Sequence, residues 1–188
     1  QYPEWAVRGA EGREPRFLTS IYIDPIDEEV MNYRLMKRWE QVKKDEVRYK
    51  EYFLEDAKYI VIGYGTSGRV AFSAVRSARE QGIPVGLLRP ITLSPFPLEE
   101  IESLTAQAEA ILVTEMNAGQ MLEDVLRAVK GQVPVEYYGR MGGMVPFPDE
   151  ILAEINRLTS APLSVDRDPR RSWLERFPNV IDLTQGLN

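Results

Sequence analysis

The residues best spaced to do chemistry lie in Tyr59-Ile60-Val61-Ile62-Gly63-Tyr64-Gly65-Thr66-Ser67-Gly68. An apolar run breaks at glycines in the G-x-G-x-x-G pattern. Such a turn, set between a strand and a helix, lets the backbone approach a phosphate and aims helix N–H groups at it. Gly65, Thr66, Ser67 and Gly68 are therefore candidate cofactor-binding residues. A second polar group, Glu115 and Asn117, stands in Glu115-Met116-Asn117-Ala118-Gly119-Gln120, just beyond another apolar run. If the first and third strands of the repeating pattern described below are neighbours, Glu115 points into the same crevice. Each group also has a structural reading. Glycines shape turns and allow close helix–sheet approach, Thr66 or Ser67 could cap one helix, and Glu115 with Asn117 could cap the next.

Dinucleotide binding in this pattern needs an acidic residue about 20 positions on, at the end of the second strand, to hold the ribose hydroxyls. Here that strand ends Leu87-Leu88-Arg89-Pro90. Arg89 would suit a 2′-phosphate, which leaves an NADP-binding enzyme as an alternative. Gly142 and Gly143 offer backbone N–H groups, yet no lysine or serine follows as in a P-loop, so they read as a tight or interface turn. Tyr137, Tyr138 and Arg140 read as a contact patch, with Tyr137 equally readable as core.

Of 188 residues none is cysteine or histidine. That removes disulfides, thiolate-held clusters, Cys and His nucleophiles and imidazole acid–base chemistry. No catalytic residue and no metal ligand is assigned to this chain. Net charge is −6, from 23 basic and 29 acidic residues, which argues against nucleic acid or an anionic membrane as partner. No apolar run reaches spanning length and residues 1–20 lack a signal-peptide layout, so the expected location is cytoplasmic.

The elements that must position these residues follow from periodicity. Strands at Tyr59–Gly63, Pro84–Leu88, Ala110–Thr114 and Pro134–Tyr138 alternate with helices over Gly68–Gln81, from Pro97, up to Lys130 and from Asp149. Gly82 and Gly131 serve as stops. Four β–α units in succession predict an α/β fold, an open doubly wound, mostly parallel sheet with order 2-1-3-4 in those strands. A long helix is expected over Asp27–Tyr52, with Asp24 and Asp27 as capping carboxylates and Val30, Tyr33, Met36, Trp39 and Val42 drifting around one side. That face packs on its own domain or docks another subunit, which makes Trp39 an interface candidate beside Arg140, Gly142 and Gly143. Residues 1–57 read as a linker with the long helix, 58–160 as the α/β domain and 161–188 as a C-terminal arm with a short helix at Arg171–Phe177. Trp5 and Phe17 suggest that the first segment docks, and Ile21–Ile23 reads as extended.

Four separated motifs carry a family resemblance. Tyr64-Gly65-Thr66-Ser67-Gly68-Arg69, the run from Gly86 to Pro97, Glu115-Met116-Asn117-Ala118-Gly119-Gln120-Met121 and the run from Tyr138 to Pro146 together resemble the C-terminal part of the alpha-type subunit of 2-oxoacid:ferredoxin oxidoreductases, nearest the 2-oxoisovalerate (3-methyl-2-oxobutanoate) branch. The resemblance covers roughly Ile21 to Leu158. It implies a transketolase C-terminal-like domain joined in the full subunit to a preceding domain. It also implies an assembly that converts 2-oxoacid, CoA and oxidised ferredoxin to acyl-CoA, CO2 and reduced ferredoxin. Thiamine diphosphate, Mg2+ and 4Fe-4S clusters would sit on other domains or subunits, namely a thiamine-diphosphate-binding beta-type, a gamma-type and a ferredoxin-like chain. On this reading the chain by itself binds no cofactor and is inactive, serving as scaffold and interface. A non-catalytic interaction module outside any oxidoreductase stands as a further alternative.

Overall fold

A computed structural model describes residues 6, 9–15 and 19–180, with side chains described as far as Arg176. Trp5 and Phe17, expected to help dock the first segment, lie outside the described residues. The chain divides into two compact units, Gln1–Val42 and Lys43–Asn188.

In the first unit the described structure is chiefly the helix α1 (Pro25–Glu46), which extends past the unit boundary. The Asp24 carboxylate accepts the Ile26 N–H at 2.8 Å, and Pro25 fits a helix start, where its missing N–H costs nothing. Ile21–Ile23 forms no strand. None of the residues of α1 is buried, and Val30, Tyr33, Met36 and Trp39 all stay exposed.

The helix does not run to Tyr52 as its pattern predicts. It stops at Glu46, and Tyr49–Tyr52 forms the edge strand β1, antiparallel to β3 (Val85–Pro90) with Tyr49 opposite Pro90 and Tyr52 opposite Leu87. The competing signal is the strand content of Tyr49 and Tyr52, whose rings suit a half-buried pleated surface. Two charged residues between them read equally well as solvent-facing helix positions.

The other strands are β2 (Tyr59–Gly63), β4 (Ala110–Glu115) and β5 (Val135–Gly139), and the sheet order is β1-β3-β2-β4-β5. All pairings except β1–β3 are parallel. The four expected strands thus take the expected order. β4 is buried along its whole length, as a central strand covered on both faces must be.

Helix α2 (Gly65–Glu80) packs with α5 (Pro148–Ser160) on one face, and α3 (Leu98–Leu104) packs with α4 (Gln120–Val129) on the other. α2 lays Ala71, Ala74, Val75 and Ala78 inward, a narrow face that lets it approach the sheet. Its last turn is tied down by Arg79, which donates to the Val85 and Phe53 carbonyls, both at 2.6 Å, and pairs with Asp56.

The final helix α6 (Pro169–Val180) is longer than the expected Arg171–Phe177. Asp168 starts it by accepting the Arg170 N–H at 2.9 Å. Trp173 is 3% exposed and meets Tyr137 edge-on with ring centroids 5.2 Å apart. Glu136 of β5, also nearly fully buried, accepts from Arg157 at 2.9 Å, Ser172 at 3.2 Å and Arg176 at 3.4 Å. A carboxylate inside a buried strand requires such partners, and they join β5, α5 and α6.

Candidate functional site

At the carboxyl ends of the parallel strands, the glycine turn is closed against its own strand. A Cβ on Gly68 would stand 2.4 Å from the Gly63 carbonyl oxygen and 3.0 Å from Cγ of Arg89. Gly68 is therefore glycine so that α2 can touch the end of β2 and the Arg89 stem can pass. Gly65 has φ +55 and open space where a Cβ would be, which makes it the turn-forming glycine. α2 begins here, three residues before the expected start. Its N-cap is Tyr64, which makes no side-chain cap, and Ser67 is buried. The expected cap by Thr66 or Ser67 is not formed, because both lie inside the first helical turn.

Glu115 and Asn117 are consumed by the start of α4. The fully buried Glu115 carboxylate accepts the Met121 N–H at 2.9 Å, the Leu122 N–H at 3.0 Å and the Asn117 side-chain N–H at 3.0 Å. The Asn117 side-chain oxygen accepts the Gly119 and Gln120 N–H groups at 2.7 and 2.9 Å. Four backbone donors that a helix start leaves unsatisfied thus find acceptors. This is the capping role weighed for the pair, and both oxygens of Glu115 are spent in it.

Tyr137 donates its hydroxyl to the Asn117 carbonyl, which secures the loop from beneath. Burial, helped by the Glu115 charge, holds that hydroxyl well above the ordinary tyrosine pKa. Burial first, and then Glu150, does the same to Tyr138. Arg140 is only 5% exposed and lies 3.4 Å from the Glu150 carboxylate, while its backbone N–H donates to the Glu115 carbonyl at 3.1 Å. Gly142 and Gly143 take φ +65 and +88 in a turn where a Cβ would meet nothing. Trp39 is distant in sequence, in the first unit, and 43% exposed. Arg140, Tyr138 and Glu150 come together, whereas Gly142 and Gly143 stand on the turn beyond them.

Among the described residues no three His, Cys, Asp or Glu side chains gather to hold a metal ion, and the chain has no cysteine. No described helix is long and apolar enough to cross a membrane. One feature escapes motif reading. Arg89, weighed above only for a 2′-phosphate, lines a small cavity with Arg69, Gly68, Tyr52 and Phe72. The edge strand that supplies Tyr52 could not be placed from periodicity, so the cavity was not legible.

An open, mostly parallel α/β sheet in the order β1-β3-β2-β4-β5 defines a domain of the transketolase C-terminal-like fold. The solved 2-oxoglutarate:ferredoxin oxidoreductase from Magnetococcus marinus matches the fold with a TM-score of 0.61 at 19% identity, over 73% of this chain and 24% of that one. A solved split-gene transketolase, an inactive β4 tetramer, matches with 0.50 at 14% identity over 60% of this chain and 41% of that one. The profile of pyruvate:ferredoxin oxidoreductase core domain II matches residues 57–151, and the chain belongs to that family. It is 44% identical over 154 residues to the ketoisovalerate oxidoreductase subunit VorB of Methanothermobacter marburgensis, covering 82% of this chain and 44% of that subunit. Against the 2-oxoglutarate synthase subunit KorA of Methanothermobacter thermautotrophicus it is 38% identical over 109 residues, 58% of this chain and 29% of that subunit. The chain thus spans less than half the length of the curated relatives it matches. Neither the NADP-binding alternative nor that of an unrelated interaction module draws support from these relatives.

Proposed function

We propose that this chain is the core-domain-II part of a 2-oxoacid:ferredoxin oxidoreductase subunit of the ketoisovalerate type. The assembly converts a branched 2-oxoacid, CoA and oxidised ferredoxin to acyl-CoA, CO2 and reduced ferredoxin. The observation that carries this reading is the 44% identity to a VorB subunit sustained over 154 residues, longer and higher than the match to KorA. Within that assembly the domain is a scaffold. Glu115, the acid at the end of β4, is spent on the start of α4, which supports assigning the chemistry to thiamine diphosphate, Mg2+ and 4Fe-4S centres on other domains or on the beta-type, gamma-type and ferredoxin-like subunits. The complex is cytoplasmic. Trp39 and the Gly142–Gly143 turn, both turned to solvent in this chain, supply subunit contacts, and Arg140 steadies that turn from inside.

A chimera tests this. This chain replaces the matching 154-residue segment of the Methanothermobacter marburgensis subunit, and the chimera is co-expressed with that enzyme's remaining subunits. The expected result is an assembled complex that reduces ferredoxin with 2-oxoisovalerate in preference to 2-oxoglutarate. A folded chimera that assembles and prefers 2-oxoglutarate contradicts the branch assignment, and one that fails to assemble contradicts the scaffold role.

A further inference from the structure

Arg89 and Arg69 stand at a cavity of about 140 Å3 whose remaining lining is Tyr52, Gly68 and Phe72. Three observations make this concavity unusual. The Nε of Arg89 is buried and has no hydrogen-bond partner, in a class of atoms that native structures satisfy in the large majority of cases. No lining residue is acidic, and the first turn of α2, which carries Gly68, has no acidic residue either. Finally, the cavity is walled by aromatic rings, with Tyr52 and Phe72 centroids 4.7 Å apart. A chain of net charge −6 has thus placed two guanidinium groups together without giving the cavity a carboxylate of its own.

An unsatisfied buried guanidinium donor costs stability unless an acceptor arrives from outside. The acceptor that matches a guanidinium fork is a planar oxyanion held by two N–H groups. Size narrows the choice, because about 140 Å3 is well below the roughly 300–1,000 Å3 of pockets that hold whole small molecules. A nucleotide does not fit, but a single side chain does. Arg69 is exposed and Arg89, Tyr52 and Phe72 are half-buried, so the cavity opens to a partner, and arginine with aromatic residues is also the composition of interface anchor points. We infer that the Arg69–Arg89 cavity is a receptor for one carboxylate side chain, an aspartate or glutamate presented by another domain or subunit. Gly68 has a defined part in this receptor, since a Cβ there would meet the Arg89 stem at 3.0 Å. The inference rests on geometry in this chain and stands whether or not the ketoisovalerate assignment holds.

The test uses this chain with 15N-labelled arginine and acetate as the carboxylate probe. Nε–Hε resonances are followed at constant ionic strength, with inorganic phosphate and chloride titrated in parallel. Arg69→Lys and Arg89→Lys assign the two peaks, and exposed Arg127 serves as the reference. Acetate is expected to move the Arg69 and Arg89 resonances saturably while Arg127 drifts linearly, and Arg89→Lys is expected to weaken the effect about tenfold. Linear, non-saturating shifts equal to those of Arg127 overturn the proposal. So does phosphate binding tenfold or more tighter than acetate, which would assign the cavity to a phosphorylated ligand. The wild-type titration decides the matter even where a variant fails to fold.

Discussion

Glu115 shows how a residue that looks chemical can be structural. An acid at the carboxyl end of a central parallel strand stands where active-site carboxylates stand, yet its oxygens hold Met121, Leu122 and Asn117. Removing it strands two buried N–H groups, each costing about 1–3 kcal/mol. Glu115→Ala should therefore lower stability by about 3 kcal/mol and Glu115→Gln by about half as much, since the amide oxygen still accepts. Urea midpoints at unchanged m-value measure both; a neutral Glu115→Ala would show the carboxylate to be free for other work. The buried tyrosines give a pH signature. Tyr137 keeps its proton in the folded chain beyond the ordinary range, whereas unfolded tyrosine ionises near pH 10. Its stabilising contribution is complete below about pH 10 and is lost as pH rises above it, at about 1.4 kcal/mol per pH unit. Tyr137→Phe should reduce the decline in urea stability between about pH 10 and 11 by about 1 kcal/mol, because the unfolded tyrosine is only half ionised at the start of that window, and identical declines would contradict the assignment. Both roles were legible in the sequence only as alternatives. Spacing places Glu115 after a strand and before a helix, and only the closure of the loop onto Tyr137 shows which of its possible partners it meets.

Among the elements, the four β–α units and their order were legible because each obeys a strong local rule: a buried apolar run, then an amphipathic helix, two of the four closed by glycine (Gly82 and Gly131). Two elements were not. β1 is a four-residue edge strand whose existence depends on the exposed flank of β3, a long-range fact that no local period encodes. α6 was half legible, because its docking depends on Glu136, an acid in the middle of Val135-Glu136-Tyr137-Tyr138-Gly139. That carboxylate could have signalled partners, but Arg157 and Arg176 are 21 and 40 residues away. Glu136→Gln should loosen α6 more than it destabilises the sheet. With the arginine side chains about a fifth exposed, the cost is put at about 2 kcal/mol, below the range for fully buried pairs. Amide hydrogen exchange should quicken across residues 172–176 while β4 keeps its protection; equal acceleration in both would make Glu136 a global core residue and not a latch.

For the whole molecule, what sequence and structure share is a domain in which the polar residues nearest the central strand ends, apart from Arg69 and Arg89, serve largely its own architecture. The glycine turn fits α2 to β2 and Arg89, the acid at the end of β4 starts α4, and the acid within β5 holds α6. The proposed contribution of such a domain to an oxidoreductase is shape and surface. Family membership was legible from four motifs in order, whereas the proposed contact surfaces, the exposed face of α1 and the cavity beside β1, depend on packing that no motif encodes. The most direct measurement is isothermal titration of this chain with thiamine diphosphate and Mg2+. The predicted result is heat of dilution alone across the titration. A saturable one-to-one isotherm, abolished by substitution at Gly65 or Glu115, would contradict the scaffold account and return the strand ends to the role of a cofactor site.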